Sequence, residues 1–167
     1  MYRAGKLTNR KKNIDRGKGV FGCALGSLEL YEWLDDNHGI AAYPLEYVNR
    51  PSVIAQIDNM VSINSCVAVD LYGQVAAESA GARQISGTGG QLDFLIGASA
   101  SRGGKAFICM SSVHTDRHGG KHSRIKPQFE GDIITSPRSQ VYFLATEYGV
   151  INLEGRSTWE RAEALIS

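Results

Sequence analysis

Three glycines crowd into the segment Ser86-Gly87-Thr88-Gly89-Gly90, which is the part of the chain best suited to hold a ligand. Because glycine has no Cβ, the backbone there can turn sharply and approach a bound group closely. Exposed backbone N–H groups in such a turn can donate to an anion, either a phosphate or an oxyanion that develops during a reaction. A purely structural turn is an equal alternative, since the segment matches neither a Walker A loop nor a full G-x-G-x-x-G fingerprint.

Other residues could also carry chemistry. Glu78 lies among small residues just before the glycine turn, and a carboxylate can serve as a covalent nucleophile. A partly buried, hydrogen-bonded glutamate at a strand end is the favoured interpretation. His114, His118 and His122 are spaced four apart, which on a helix would stack metal ligands on one face. Gly119-Gly120 argues against a helix, so we expect an exposed loop or hairpin and no metal.

Composition narrows the possible functions. The 167 residues suit one domain, and 21% charged and 43% hydrophobic residues are ordinary for a globular protein. The net charge of +1 gives no reason to expect nucleic acid or membrane binding. Basic residues concentrate in residues 1–18, where a solvated terminal segment is favoured over a phosphate-binding one. Lys105, after Gly103-Gly104, could likewise bind a phosphate or lie in a solvated turn, and the solvated turn is favoured.

The cysteines and the apolar runs indicate where the protein acts. Cys23, Cys66 and Cys109 are widely spaced and odd in number, which predicts buried free thiols in a reducing compartment. No apolar run approaches the roughly 18 residues of a membrane-spanning helix. The basic N-terminus is not followed by the apolar stretch of a secretory signal. We therefore expect a cytoplasmic protein.

Strands and short helices alternate along the chain, which predicts an α/β layer architecture. Residues 19–24 are predicted as a buried strand and Tyr43–Val48 as extended. Ser27 is expected to cap one helix, Pro51 to begin another, and the S-x-x-E pattern at Ser157 to open a terminal one. Further strands are predicted over residues 61–70, 75–78, 106–113 and 141–145. In residues 61–70 the alternation places Val61, Ile63, Val67 and Val69 on one apolar face, and residues 106–113 are expected to be covered on both faces.

Several motifs together resemble a known family. Asn59-Met-Val-Ser-Ile-Asn-Ser-Cys66, Asp70-Leu-Tyr-Gly-Gln-Val75, Gly87-Thr-Gly-Gly-Gln-Leu-Asp-Phe94 and Thr146-Glu-Tyr-Gly149 occur in the order typical of the acetyl-CoA hydrolase/transferase family, a group of family I CoA-transferases. Ser123-Arg-Ile125 and Arg161-Ala-Glu-Ala-Leu-Ile166 extend the likeness almost to the last residue. Within the family it is most similar to 4-hydroxybutyrate CoA-transferases and butyryl-CoA:acetate CoA-transferases.

The resemblance implies a single domain, residues 1–167, with the open three-layer α/β sheet of the CoA-transferase (NagB/RpiA-like) type. It would be the C-terminal, CoA-binding half of an enzyme whose active site lies between two halves. In such enzymes a glutamate attacks the acyl-CoA thioester, and a glutamyl-CoA thioester carries CoA to a short-chain carboxylic acid. CoA and acyl-CoA are thus substrates, and no bound cofactor is implied.

The resemblance also assigns site residues. Gly87, Gly89 and Gly90 match the family's glycine turn, with Gly90 as an oxyanion-hole amide and Ser86 beside the pantetheine arm of CoA. Asn49, two residues before Pro51, would bond near the thioester.

The family's glutamate stands in a His-Thr/Ser-Glu-Met type motif that residues 1–167 do not contain. We therefore expect this chain to be inactive without an N-terminal domain, and to form homo-oligomers through the surface that domain would cover. The alternatives are an acyl-CoA hydrolase and a non-catalytic CoA-binding module.

Overall fold

The computed structural model describes residues 2–167 and contains five helices within them. The helices are α1 (Leu28–Leu34), α2 (Leu45–Val48), α3 (Pro51–Ile54), α4 (Gln91–Ala100) and α5 (Thr158–Ile166). The strands are β1 (Gly19–Phe21), β2 (Ile40–Ala42), β3 (Val61–Ser65), β4 (Ala68–Asp70), β5 (Val75–Ala76), β6 (Ser79–Ala80), β7 (Arg83–Gln84), β8 (Lys105–Cys109), β9 (Val113–Thr115), β10 (Lys121–Ser123), β11 (Ile125–Lys126), β12 (Phe143–Thr146) and β13 (Gly149–Asn152). The predicted α/β class and single domain are confirmed.

A four-stranded sheet in the order β13-β12-β8-β3 forms the centre of the domain. Strands β3, β8 and β12 are parallel, and β13 returns antiparallel to β12. A second sheet, β11-β4-β5, lies beside it. Parallel strands need a crossover, and α4 supplies the one that leads into β8. Since α4 and β8 run in opposite directions, the N-terminus of α4 lies at the carboxyl end of the sheet.

One face of the four-stranded sheet packs on α4 and α5 and forms the hydrophobic core. Ala106, Ile108 and Leu144 on the sheet meet Leu95 of α4 and Leu165 of α5, and each of the five is at most 7% exposed. Burial of these apolar side chains is the main force that holds the helices to the sheet.

The opposite face of this sheet is open among residues 2–167. Ile63 is 71% exposed, Val61 52% and Val150 59%. The rings of Phe107 and Phe143 lie between them, with centroids 5.0 Å apart. We call Val61, Ile63, Phe107, Phe143 and Val150 the open face. The expectation that residues 106–113 are covered on both sides is therefore wrong for this chain, and so is the expectation that Val61 and Ile63 join Val69 on one face.

Local sequence signals placed several helices correctly. Ser27 caps α1, Pro51 opens α3, and Ser157 with Glu160 forms a complete capping box at α5. The extended prediction for Tyr43–Val48 is wrong, because Leu45–Val48 forms the short helix α2. Pro44 is its N-cap, with ψ of 141°, so the chain is extended only as far as that proline.

Two predictions of burial are also corrected. Gly19–Phe21 is a strand but is only half-buried, and it pairs with β2 alone. Of the three cysteines, Cys66 is buried, Cys109 is partly exposed and Cys23 is exposed. All three are free thiols. Among residues 2–167 no helix has the length and apolar character needed to cross a bilayer.

Candidate functional site

The glycine turn leads directly into the N-terminus of α4. Residues 86–89 are exposed, and Gly89 has φ of +63°, a conformation that favours glycine. Gly90 is the N-cap of α4, and no side chain caps this end of the helix. The first backbone N–H groups of α4 are therefore left for another acceptor, and the helix dipole adds partial positive charge there.

Asn49 lies against Gly90, although 41 positions separate them in the sequence. A Cβ placed on Gly90 would lie 2.9 Å from Cγ of Asn49 and 3.4 Å from its Oδ1. Only glycine leaves room for the Asn49 amide at this point. The structure thus brings together two residues that the sequence analysis assigned to one site.

The packing of two helices explains this contact. Asn49 ends α2 and stands two residues before α3, while Gly90 stands directly before α4. A Cβ on Gly97 of α4 would lie 2.6 Å from Cβ of Ile54 on α3, so the two helices approach closely there. Because α3 and α4 lie side by side, the residues that precede them also meet.

Two tyrosines hold the turn that carries Asn49. The hydroxyls of Tyr43 and Tyr47 each donate to Asp15, at 3.2 Å. The bond to Asp15 and its negative charge raise the pKa of Tyr43, whereas burial, followed by the charge of Asp15, raises the pKa of Tyr47. Part of the basic N-terminal segment is thereby attached beside α2.

Glu78 lies at the base of the glycine turn. Its backbone carbonyl accepts from the N–H groups of Ile85 and Ser86, at 2.8 and 3.3 Å, so the turn starts from this residue. Its side chain is buried, but its Oε2 atom has no hydrogen-bond partner within residues 2–167. The expected hydrogen-bonded side chain is therefore not found at this oxygen.

The family is decided by comparison with known proteins. Residues 26–167 match the model of the acetyl-CoA hydrolase/transferase C-terminal domain. The chain belongs to the acetyl-CoA hydrolase/transferase family.

Similar proteins and a solved structure support the assignment of this chain to the acetyl-CoA hydrolase/transferase family. It is 54% identical over 167 residues to a "Probable butyrate:acetyl-CoA coenzyme A-transferase" of Syntrophomonas wolfei, covering 99% of this chain and 37% of that protein. It is 46% identical over 168 residues to a 4-hydroxybutyrate coenzyme A transferase of Clostridium kluyveri, covering 100% and 38%. The crystal structure of RipA from Yersinia pestis superposes with a TM-score of 0.90 at 44% identity, covering 99% and 37%. The chain thus spans little more than a third of the length of these relatives.

Three family motifs of this hydrolase/transferase chain meet at the carboxyl end of the sheet. Glu147, after β12, accepts from the backbone N–H and hydroxyl of Ser112, at 2.7 and 2.6 Å. Arg124, before β11, donates to the carbonyls of Cys66 and Val67. The Ser112 bonds, with a smaller contribution from Arg124, lower the pKa of Glu147. The sequence motifs that contain Glu147 and Arg124 give these residues no role, because only the tertiary fold shows that they meet.

The Asp70-Leu-Tyr-Gly-Gln-Val75 motif is structural in the acetyl-CoA hydrolase/transferase fold. The Oδ1 atom of Asp70 accepts from the N–H groups of Tyr72 and Gln74, at 3.1 and 2.9 Å. Gly73 has φ of +85° in the turn between them. This carboxylate therefore fixes the connection between β4 and β5.

The histidines form the predicted hairpin rather than a helix. His114 on β9 pairs with His122 on β10. Asp116 accepts from the N–H groups of His118 and Gly120 and contacts Nε2 of His122 at 2.8 Å. These bonds lower the pKa of Asp116 to about 2, with the His122 contact as the largest cause. Within residues 2–167 no three metal-ligating side chains are grouped for a metal ion.

Lys105 lies far from the glycine turn. It begins β8 and follows the C-terminus of α4, whereas Gly90 precedes the N-terminus. A helix of ten residues is about 15 Å long, and these two positions lie beyond opposite ends of α4. The structure therefore does not bring Lys105 to the candidate site.

Two grooves of the domain are lined by other residues, although the second reaches Val48 and Phe94 beside the candidate site. One, of about 670 Å³, is lined by α5 and β13, and the other, of about 680 Å³, lies under the N-terminal segment. Neither is lined by Asn49 or Gly90. The candidate site belongs to neither groove, and its residues 86–89 are exposed to solvent.

Proposed function

We propose that residues 1–167 form the C-terminal, CoA-binding domain of a CoA-transferase, and that an N-terminal domain supplies the nucleophilic glutamate. The enzyme would move CoA between an acyl-CoA and a short-chain carboxylic acid. The contact between Asn49 and Gly90, at an uncapped helix N-terminus in a chain of this family, carries the proposal.

The chemistry needs an oxyanion site at this point. The glutamate carboxylate attacks the thioester carbonyl, the C–S bond breaks, and a mixed anhydride and CoA thiolate form. The thiolate then attacks the glutamyl carbonyl and releases the first carboxylate, which leaves a glutamyl-CoA thioester. The incoming acid reverses these steps. Each attack places negative charge on a carbonyl oxygen, and the Gly90 N–H and the Asn49 amide are the donors assigned to it.

The open face supports the need for a second domain. Exposed apolar residues of a sheet in an α/β domain are normally covered by helices. Ile63, Val61 and Val150 have no such cover within residues 2–167. We assign this cover to the N-terminal domain. In its absence we expect the chain to self-associate into homo-oligomers through the same face.

The remaining assignments follow from the same proposal. Ser86, Gly87 and Gly89 line the path of the pantetheine arm, because they lead to Gly90 and are exposed, and a Cβ on Gly87 or Gly89 would meet nothing within 4 Å. CoA enters as a substrate, and no bound cofactor is assigned. A buried free thiol at Cys66 accords with a cytoplasmic location.

Complementation tests the proposal. The chain alone should transfer no CoA from butyryl-CoA to acetate, and it should do so once mixed with an N-terminal domain that carries the glutamate. The same domain with that glutamate replaced by glutamine is the control and should restore nothing. Failure with a folded N-terminal domain would refute the transferase assignment.

Two other outcomes would identify the alternatives. Release of free CoA that does not depend on acetate would indicate a hydrolase. Micromolar binding of CoA to the isolated chain, measured by calorimetry, together with failed complementation would indicate a non-catalytic CoA-binding module.

A further inference from the structure

The unit β1–α1–β2, residues 19–42, has no buried core of its own. No residue from 2 to 50 is buried, and the first buried side chain along the chain is that of Ile54. None of the seven residues of α1 is buried, and Leu28 at its start is 71% exposed. Helices and strands with apolar faces are stable when another layer packs against them. Residues 2–167 supply only part of that layer for this unit.

The sequence of β1 and β2 is that of strands covered on both faces. Val20 and Phe21 of β1 and Ile40 of β2 are large apolar residues, and glycine or alanine fills the other positions. Near-continuous apolar runs of this kind are typical of parallel strands inside a larger sheet. Here all three large side chains are only half-buried, and they line the groove of about 680 Å³. The cover that this sequence favours is therefore incomplete within residues 2–167.

The hydrogen bonds of β1 leave one of its edges open. The N–H of Gly19 donates to the carbonyl of Gly39 at 2.9 Å. The carbonyl of Phe21 accepts from the N–H of Tyr43 at 3.0 Å, so Gly19 and Phe21 both direct their backbone groups to β2. Because alternate residues of a parallel strand bond to the same neighbour, Val20 directs its N–H and carbonyl away from β2. Neither group is bonded to any other part of residues 2–167.

We call this side of β1 the β1 edge. An open strand edge is a template for pairing with another strand. The outer side of β2 is already partly closed, because the N–H of Ile40 donates to the carbonyl of Asn37 at 3.1 Å. A relative that matches 99% of this chain has only 37% of its length covered, so a protein of that length has ample further chain to supply a strand.

We propose that the β1 edge pairs with a strand of the N-terminal domain, so that β1 and β2 become part of a larger sheet to which both domains contribute. This pairing rests on the proposed function for the existence of that domain. It gives the N-terminal domain a second attachment on a different sheet from the open face, and it places residues 19–42 at the interface between the domains.

Hydrogen exchange in the full-length protein tests the pairing, with single amides resolved by fragmentation in a mass spectrometer. The N–H of Phe21, which faces β2, is the internal control. Val20 should be protected to within about tenfold of Phe21, because both amides would then belong to the same sheet. Faster exchange than this at Val20 would show an open edge and overturn the proposal.

A proline variant tests the same bond by a second route. Val20→Pro removes the outward N–H but no bond to β2, and proline is tolerated at a free strand edge. Val20→Ala keeps the N–H and is the matched control. In the full-length protein the proline variant should exchange about tenfold faster at Phe21 than the alanine variant, as the loss of one hydrogen bond implies. Equal exchange in the two variants would overturn the proposal.

Dilution and activity identify the partner strand and separate this pairing from the proposed function. Val20 should stay protected in full-length protein diluted until sedimentation shows only monomers. Protection lost on dilution would identify a second copy as the partner and overturn the proposal. A full-length protein that protects Val20 but transfers no CoA would refute the proposed function and support the pairing. An active transferase with an open β1 edge would do the reverse.

Discussion

Gly90→Ala should disable the proposed oxyanion site through a single methyl group. Gly90 has φ of −100° and ψ of 12°, in a region that alanine is allowed to adopt because φ is negative, so the backbone itself tolerates the change. The new Cβ, however, would lie 2.9 Å from Cγ of Asn49, where ordinary contacts begin near 3.4 Å. Nδ2 of Asn49 lies closer still to that Cβ, so the Asn49 amide must retreat by roughly 1 Å.

The expected loss is in kcat. Removal of one oxyanion donor costs about 10²- to 10³-fold in kcat, and a misplacement of this order near a reacting centre costs about 10²-fold. We therefore expect Gly90→Ala to lower kcat by roughly 10²-fold in the reconstituted transferase, with a small change in KM for acyl-CoA. Steady-state CoA transfer from butyryl-CoA to acetate measures both values.

Two further variants make the test specific. Gly87→Ala is the comparison in the same turn, because a Cβ there meets no protein atom within 4 Å. It should leave kcat nearly unchanged, and any loss should be confined to KM for acyl-CoA, since Gly87 lies on the proposed path of the pantetheine arm. If the methyl group acts by displacing Asn49, then Gly90→Ala should add little to the loss caused by Asn49→Ala, since effects on one shared element are not additive. Full additivity, or equal losses for Gly87→Ala and Gly90→Ala, would refute the reasoning.

Three other predictions concern the surface, the hairpin and the thiols. Ile63→Lys should reduce self-association of the isolated chain, followed by light scattering, and weaken complementation, followed by transferase activity. Val113→Lys, on the separate β9–β10 hairpin, should do neither. Because the folded state lowers the pKa of Asp116 to about 2, its contribution should be complete above pH 4 and lost as pH falls through about 2. Protection of the hairpin amides from hydrogen exchange, measured relative to the intrinsic exchange rate at each pH, should therefore fall over that interval, and constant protection in wild type would contradict the pairing. Burial raises the pKa of Cys66 to about 12, so iodoacetamide at pH 8 should label the exposed Cys23 long before Cys66, as mass spectrometry of peptides would show.

Sequence signals of short range predicted much of the fold. The Ser157 capping box and the Ser27 cap act within one helical turn, so their residues alone determine where α5 and α1 begin. The prediction of an extended segment over Tyr43–Val48 was wrong because a four-residue helix has too short a sequence pattern to be distinguished from an extended segment. Such a helix depends on what it packs against.

Contacts of long range explain what the sequence could not provide. The alternation at Val61 and Ile63 is that of a strand with an apolar face, but it does not indicate whether that face meets this domain or another one. For the site, family motifs pointed to Asn49 and Gly90, whereas their contact depends on how Gly97 lets α4 approach Ile54. The bond between Glu147 and Ser112 joins the ends of two strands and leaves no local pattern.

The close packing of α3 on α4 bears on how a transferase of this kind would release its products. Asn49 and Gly90 are attached to the ends of these two helices, so in the proposed two-domain enzyme they would move as one rigid piece if the cleft between the domains widened. Opening and closing of that cleft would then change the distance from the Gly90 N–H and the Asn49 amide to the proposed nucleophilic glutamate, while these two donors keep their positions relative to each other. A departing carboxylate could leave through the widened gap, and the oxyanion site would be ready for the next acid as soon as the gap closed.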